Sequence, residues 1–357
     1  MAISAAAATP PGAVRDHGFH PLRVARVVPE TAESASFVLD VPDELRDAYA
    51  YDAGQFLTFR MPVDGQQHLR SYSMSSSPGV DDELQVTVKR VPGGLVSNAM
   101  IDTLGPGDVV EATRPAGVFC LGPGDGDVLA FAAGSGITPV YSVLKAALAT
   151  RGRRVRLLYA NRDRDSVIFG DALAALTAQH PDRLAVVHRL DVEHGFVDGA
   201  SVAAFADGAV GDVFVCGPTP FMDIVEGTLL ARGVDPARIR IERFDPAPPP
   251  AAPVEPAAEP SAGPTQVTIE LDGQTGTIDH HPGTTILQTA RELGMAAPFS
   301  CEAGNCATCM ARVLEGSVTM YTNNALTDDE VADGWVLTCQ SVPTTPTVHV
   351  VYGYGEA

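Results

Sequence analysis

The sequence predicts a multi-domain chain in which an antiparallel β-barrel is followed by an α/β unit with a parallel sheet and then by a small α+β unit. Three observations carry this. Across residues 19–122, short β-rich runs such as SFVLDV, QFLTFRM and LQVTVKRV are separated by Gly, Pro and Asp turns, the pattern of an antiparallel barrel. From 123 to 245, the apolar runs VLAFAAG, VRLLYAN, LAVVHRL, DVFVCGP and IRIERF alternate with helical stretches, as in a parallel sheet covered on both faces. The stretch DPAPPPAAPVEPAAEPSAGP has no hydrophobic periodicity and reads as an extended spacer, so residues 246–264 set off a third unit at 265–357.

Within these units, Val140, Val143, Leu144, Ala147 and Leu148 recur at helical spacing after Pro139. The third unit opens with TQVTIELDG and QTGTIDH, a hairpin, followed by one helix around Thr285–Leu293. Residues 1–18 are expected to be disordered: MAISAAAATPPGAVRDHG has no basic start and no sustained apolar run, so it is no secretory leader either. Nowhere do 18 apolar residues follow one another, and the expectation is a soluble, cytoplasmic protein without a membrane partner. A formal charge of −20 excludes a phosphate-backbone partner, because nucleic acid needs a concentrated basic surface.

Of six cysteines, four lie after residue 300, which points to metal chemistry in a reducing compartment rather than a disulfide framework. In FSCEAGNCATCMARV, Cys301, Cys306 and Cys309 have the spacing CxxxxCxxC, and Cys339 follows after 29 intervening residues, the plant-type [2Fe-2S] pattern. Small residues at Ala303, Gly304, Ala307 and Thr308 let the backbone approach the sulfurs and donate N–H groups. A structural zinc site is the alternative, although zinc modules usually present two short pairs of ligands.

Two further segments have the chemistry of nucleotide sites. GSGITP at Gly134–Pro139 follows an apolar strand and opens a helix, so a pyrophosphate would find close backbone and free N–H donors there; taken alone, the same turn serves equally well as a tight connection. RSYSMSSSP at Arg70–Pro78 groups a guanidinium for phosphate, a ring for an aromatic cofactor and hydroxyls for ring nitrogens; on residue types alone, a Ser-rich surface turn fits it better. GGLVSNAM at Gly93–Met100 adds glycines before a helix, with Ser97 available to a phosphate.

Taken together, RSYS, GLVS, GSGITP, CGPTPFM and IERF resemble the ferredoxin–NADP reductase superfamily in order and spacing over about residues 20–245. With the C-terminal cysteine module, the whole chain is similar to a class of oxygenase reductases. Its detailed run, including QFLTFRMP, VTVKR, YANRDRDSVIFGDAL and CQS, is most similar to those serving 3-ketosteroid 9α-hydroxylases and more distantly to those of phenylacetyl-CoA epoxidases. The resemblance implies a FAD-binding barrel, an NAD(P)-binding parallel-sheet domain and a β-grasp ferredoxin domain. It implies that Arg70, Ser71, Tyr72 and Ser73 hold FAD, with Lys89, Gly94 and Ser97 completing that side. Gly134, Gly136 and Thr138 would receive the nicotinamide nucleotide, with Cys216, Gly217 and Pro218 beside the nicotinamide ring. Glu242 and Phe244 match the family's acid and terminal aromatic, Phe244 covering the flavin face; Ser73, Cys216, Glu242 and Phe244 form the expected catalytic set. Cys120 matches no family ligand and reads as a core or strand-end residue.

Asn161 and Arg162 follow the strand where the adenosine ribose is read. Arg162 would suit a 2′-phosphate, but Asp163 and Asp165 disfavour it, which leans toward NADH. From Thr265 onward 11 Asp and Glu face two Arg, so the third unit is expected to offer an acidic surface to an electron acceptor. The expected function is a monomeric reductase passing electrons from NAD(P)H through FAD and a [2Fe-2S] cluster to a terminal oxygenase, a Rieske-type hydroxylase of steroid or aromatic rings. A di-iron oxygenase as partner, or a redox-sensing module serving no oxygenase, are the alternatives.

Overall fold

The structure, a computed structural model, describes residues 19–122, 124–150, 152–208, 211–244, 265–271, 273–295, 297–299, 302, 304, 306–323 and 325–352. The expected disordered N-terminus (1–18) and the spacer (246–264) lie outside the described residues. The chain forms two compact units, one holding Pro21–Pro115 with Phe119–Asp245 and one containing Pro246–Ala357.

The first unit begins with strands β1 (His20–Thr31), β2 (Ser34–Asp40), β3 (Phe56–Val63), β4 (Gln66–Ser73) and β5 (Leu84–Lys89), helix α1 (Leu95–Thr103) and strand β6 (Val109–Ala112). They make a six-stranded sheet in the order β4-β3-β6-β1-β2-β5. An antiparallel bridge between Met74 and Val86 brings the two end strands together, which curls the sheet into the expected barrel. Alternate residues point inward, so Leu22, Val24, Phe37, Leu57, Phe59 and Val86 fill the core.

The same unit continues through β7 (Val128–Ala133), α2 (Ile137–Ala149), β8 (Val155–Asn161), α3 (Gly170–Gln179), β9 (Leu184–Leu190), α4 (Asp191–His194), α5 (Gly199–Phe205), β10 (Asp212–Cys216), α6 (Thr219–Ala231) and β11 (Ile239–Glu242). These strands are parallel, in the order β11-β10-β7-β8-β9. All six residues of β7 are buried because helices cover both faces of the sheet. The predicted helical face of α2 packs into one of those layers through Val140, Val143, Leu144, Ala147 and Leu148.

The second unit contains β12 (Thr265–Leu271), β13 (Gln274–His280), α7 (Ile286–Glu292), β14 (Met310–Glu315), β15 (Val318–Met320), α8 (Asp328–Ala332), β16 (Trp335–Leu337), β17 (Ser341–Pro343) and β18 (Thr347–Tyr352). Its main sheet runs β13-β12-β18-β14-β16, with β12 parallel to β18 and the other pairs antiparallel. Helix α7 lays Ile286, Leu287 and Ala290 on this sheet, the β-grasp arrangement. It starts where it does because Thr285 and Gln288 form a capping box, each side chain bonding the other's backbone N–H.

Phe131 is fully buried in β7, edge-on to Phe205 at 5.5 Å between ring centroids. Phe131→Ala is therefore expected to cost about 3–5 kcal/mol, read as a lower urea midpoint for the first unit. A change within about 0.5 kcal/mol, the range of ordinary surface substitutions, would mean that this layer does not hold the sheet.

Candidate functional site

The parallel sheet reverses its order between β7 and β10, and the crevice at the carboxyl ends of those strands is where open α/β sheets bind ligands. Gly134–Gly136 form a single tight turn at the end of β7, immediately before α2. An added Cβ at Gly136 would lie 2.2 Å from the Cys216 carbonyl oxygen and 2.6 Å from the Gly217 nitrogen, so only glycine lets this turn close onto the end of β10. Gly217 in turn leaves no room beside Ala133 and Phe221, and Pro218 caps α6.

Three of the expected catalytic residues meet here. Cys216 on β10 pairs in register with Glu242 on β11. Ser73, at the end of barrel strand β4, donates a hydrogen bond to Glu242 Oε2 at 2.8 Å. Glu242 as a residue is half-buried, but its carboxyl is desolvated; burial pushes it up to about 8, partly opposed by the Ser73 hydrogen bond. Burial, then the neighbouring Glu242, pushes the Cys216 thiol up as well. Phe244 follows β11 and is 42% exposed. Cys120 lies near these groups, in the irregular segment before β7 rather than at a strand end. Burial with nearby Asp52 and Glu242 pushes its thiol up to about 12.

On β4, alternation puts Arg70 and Tyr72 on one side and Ser71 and Ser73 on the other. Ser71 shares a hydrogen bond with Thr58, Arg70 is exposed and donates to the Leu69 carbonyl, and Tyr72 packs 6.0 Å from Phe59. Lys89 ends β5 with its ammonium 3.5 Å from where a Cβ on Gly134 would sit, so barrel and glycine turn are adjacent. Gly94 is the N-cap of α1, and Ser97 accepts a hydrogen bond from the Val91 N–H, leaving its own proton available. These residue types fit a flavin nucleotide: β4 carries a cation, an aromatic ring and hydroxyls, and α1 opens with a glycine and a serine at its N-terminus.

The nicotinamide side fits too. Thr138 donates to the Ser135 carbonyl at 3.0 Å, and the Tyr159 hydroxyl donates to the Gly134 carbonyl, which fixes the turn. Asn161, at the end of β8, is buried beside Tyr159, whose hydroxyl its side-chain amide is near enough to bond. Arg162 is held by Asp163 at 2.8 Å and by Glu33 at 3.9 Å.

In the second unit, Cys306, Cys309 and Cys339 are buried, while Cys301 and Ala303 lie outside the described residues. The distant Cys339 joins the loop because Thr338 donates both its backbone N–H, at 3.2 Å, and its hydroxyl, at 2.7 Å, to the Cys309 carbonyl. The Cys309 and Cys339 thiols are close enough to hydrogen-bond, with Cys306 in electrostatic reach of both. The Gly304 backbone bonds Cys339, as expected of the small-residue loop; an added Cβ there would lie 2.6 Å from the Thr322 carbonyl oxygen, and its φ is +76°. Glu302 and Ala307, both non-glycine, also adopt left-handed backbone, at φ +50°. Converging thiols with a backbone donor aimed at sulfur fit an iron–sulfur cluster. Residue types alone did not single out Gln340, which donates to the Glu302 carbonyl at 2.8 Å, or Arg291, which makes a two-pronged ion pair with Glu302. The only signal for Gln340 was the CQS run, and Arg291 had none.

Barrel, parallel sheet and cysteine module together define a flavin- and iron–sulfur-dependent nicotinamide reductase. Family models match all three: an oxidoreductase FAD-binding domain over 21–120, an oxidoreductase NAD-binding domain over 131–227 and a 2Fe-2S iron-sulfur cluster binding domain over 269–344. The chain is 42% identical to the ferredoxin reductase component of 3-ketosteroid-9-alpha-monooxygenase from Rhodococcus rhodochrous, over 93% of this chain and 96% of that one. It is 35% identical to one of the subunits of 1,2-phenylacetyl-CoA epoxidase from Escherichia coli K12, over 93% and 97% respectively. Among solved structures it is similar to phthalate dioxygenase reductase, with a TM-score of 0.57 at 25% identity, covering 94% of this chain and 98% of that one. The chain belongs to the family of oxygenase reductase components that join a ferredoxin–NADP reductase-type core to a C-terminal [2Fe-2S] domain.

Below about pH 8 the Glu242 carboxyl is neutral; above it, a negative charge appears beside Ser73 and Cys216, which would disfavour further negative charge arriving there. The rate at which NADH bleaches the flavin band is thus expected to fall as pH rises through about 8, and the Glu242→Gln variant to lose that inflection. Stopped-flow absorbance from pH 6 to 10 checks both; an inflection persisting in the variant would move the titration to another group.

Proposed function

We propose that the chain takes hydride from NADH at the crevice between β7 and β10 and delivers single electrons to a Rieske-type oxygenase acting on a steroid or aromatic ring. The observation that carries this is the Ser73–Glu242 hydrogen bond, which joins the flavin-type edge of the barrel to the nicotinamide-type end of the parallel sheet beside Cys216. Bound FAD and the [2Fe-2S] cluster supply the conversion of an electron pair into single electrons. Arg70, Ser71, Tyr72, Lys89, Gly94 and Ser97 hold the flavin nucleotide, Arg70 and the α1 N-terminus taking its phosphates. Gly134, Gly136, Thr138, Asn161, Gly217 and Pro218 hold the dinucleotide; Ser73 and Glu242 govern the proton at the flavin edge, and Phe244 shields that face from water. Cys301, Cys306, Cys309 and Cys339 ligate the irons.

The partner reading rests on relatives that are components of a ketosteroid monooxygenase and on a structural neighbour whose partner is phthalate dioxygenase. The likeness to a component of an epoxidase supports a di-iron partner as the second reading. We place the reductase in the cytoplasm, since its cluster thiols need a reducing compartment, and read it as a monomer. Among the described residues no helix is long and apolar enough to cross a membrane.

NADH added anaerobically to purified protein is expected to bleach both the flavin band and the iron–sulfur shoulder, and to give a rhombic spin-one-half signal in low-temperature electron paramagnetic resonance. In Cys309→Ser the flavin band should still bleach while that signal is lost. A wild-type protein loaded with iron that gives no signal under NADH would refute the electron path. Adding 3-ketosteroid oxygenase or epoxidase component then separates the two partner readings by product.

Arg162 is engaged by Asp163, so a 2′-phosphate has to compete for it. Asp163→Asn keeps a capping oxygen for Ser166 and removes the nearer of the two charged partners of the guanidinium, leaving Glu33, and is expected to raise kcat/KM for NADPH about tenfold relative to NADH. An unchanged ratio would place cofactor choice elsewhere.

A further inference from the structure

The contacts around the crevice close on themselves. Ser73 bonds Glu242, Glu242 pairs through β11 with Cys216, and the Cys216–Gly217 peptide packs on Gly136 at the head of α2. Two turns along that helix, Ser142 donates to the Ser76 carbonyl at 2.5 Å, and Lys145 forms an ion pair with Asp81. Asp81 also accepts the Ser77 N–H at 2.6 Å, while Ser76 shares a hydrogen bond with Tyr51 at 2.6 Å and accepts the Gln85 N–H at 2.9 Å. The chain from Ser77 back to Ser73 completes the ring.

We infer that Lys145 and Ser142 are positioning residues for hydride transfer: by docking α2 onto the Ser76–Asp81 segment of the barrel, they set the distance between the Gly134–Thr138 turn and Ser73. Neither touches the crevice itself. Both are buried, at 8% and 0% exposure, and they stand one turn apart on the face of α2 that meets the barrel. The ammonium lies between the Asp81 carboxylate and the Tyr141 ring, 4.5 Å from its centroid, and Tyr141 is stacked at 4.6 Å on Phe169.

Desolvating a lysine costs stability that an apolar pair of similar volume would not. What the ion pair adds is a single allowed geometry, since a hydrophobic contact tolerates sliding and a hydrogen-bonded charge pair does not. Helix α2 is a 13-residue rod carrying the glycine turn at one end, so a small rotation at Lys145 becomes a displacement at the turn. A misplacement of about 1 Å between reacting groups can cost about a hundredfold in rate.

This inference rests on the assignment of Gly134–Thr138 to the nicotinamide nucleotide, and the experiment separates the two. In FAD-loaded full-length Lys145→Met, the limiting rate of flavin reduction at saturating NADH is expected to fall about tenfold or more, with KM for NADH changed less than about twofold. The primary isotope effect with deuterated NADH should rise. Lys145→Arg should recover most of the rate, and Ser142→Ala, which removes one hydroxyl, should show the same split to a smaller degree. A limiting rate and isotope effect equal to wild type in Lys145→Met overturn the inference; if that variant does not fold, the same result in Ser142→Ala overturns it. Gly134→Ala, whose methyl would stand 3.5 Å from the Lys89 ammonium at the turn, tests the underlying assignment by itself: an unchanged KM for NADH there removes the turn from the nucleotide site whatever Lys145 does.

Discussion

A peptide-on-peptide contact with no room for one methyl group, Gly136 against the Cys216–Gly217 backbone, is the constraint on which the crevice at the ends of β7 and β10 depends. It brings the head of α2 onto the end of β10, and the in-register pairing of β10 with β11 then carries Glu242 to the same place. Glu242 supplies the carboxyl of the expected catalytic set, and it stays mostly protonated at neutral pH because burial outweighs the single hydrogen bond it receives from Ser73. A carboxyl in that state can donate a proton, whereas a carboxylate can only accept one and repels incoming negative charge.

The cysteine module solves a different problem with the same means. A loop that wraps a cluster must turn its N–H groups inward, which demands left-handed backbone; here glycine supplies it at Gly304, but Glu302 and Ala307 adopt it at some energetic cost. The surroundings hold that strain in place: Arg291 pairs with the Glu302 side chain, Gln340 with its carbonyl, and Thr338 ties the distant ligand strand to Cys309. The helix-sheet core beneath, with Ile286, Leu287 and Ala290 on β12 and β18, is the rigid base for those hydrogen bonds.

Much of the fold is legible because its signals are local. The strands LQVTVKRV and VLAFAA declare themselves by β-branched and apolar runs, and α2 by its i, i+3, i+4 spacing, since period and propensity act over a few residues. The cysteine spacing is equally local, as three ligands share one loop. The ion pair of Lys145 with Asp81 was not legible: 64 residues separate the partners, and a lysine at one turn of an apolar helix looks like a solvated surface charge until the barrel is packed against it. The same holds for Arg291 and Gln340, which lie in no recognisable ligand spacing and gain a role only from standing over Glu302.

Sequence alone determined that the chain would make a barrel, a parallel sheet and a cysteine module in that order, and which side chains were chemically suited to nucleotide and iron, because turn residues, hydrophobic period and ligand spacing are properties of neighbouring positions. Tertiary structure alone decided that Ser73 and Glu242, 169 residues apart, would share one hydrogen bond, and that the carboxyl would lie deep enough for its proton to be held to about pH 8. Desolvation and contact depend on what the rest of the chain places around a group, and that is decided only when the sheets are packed.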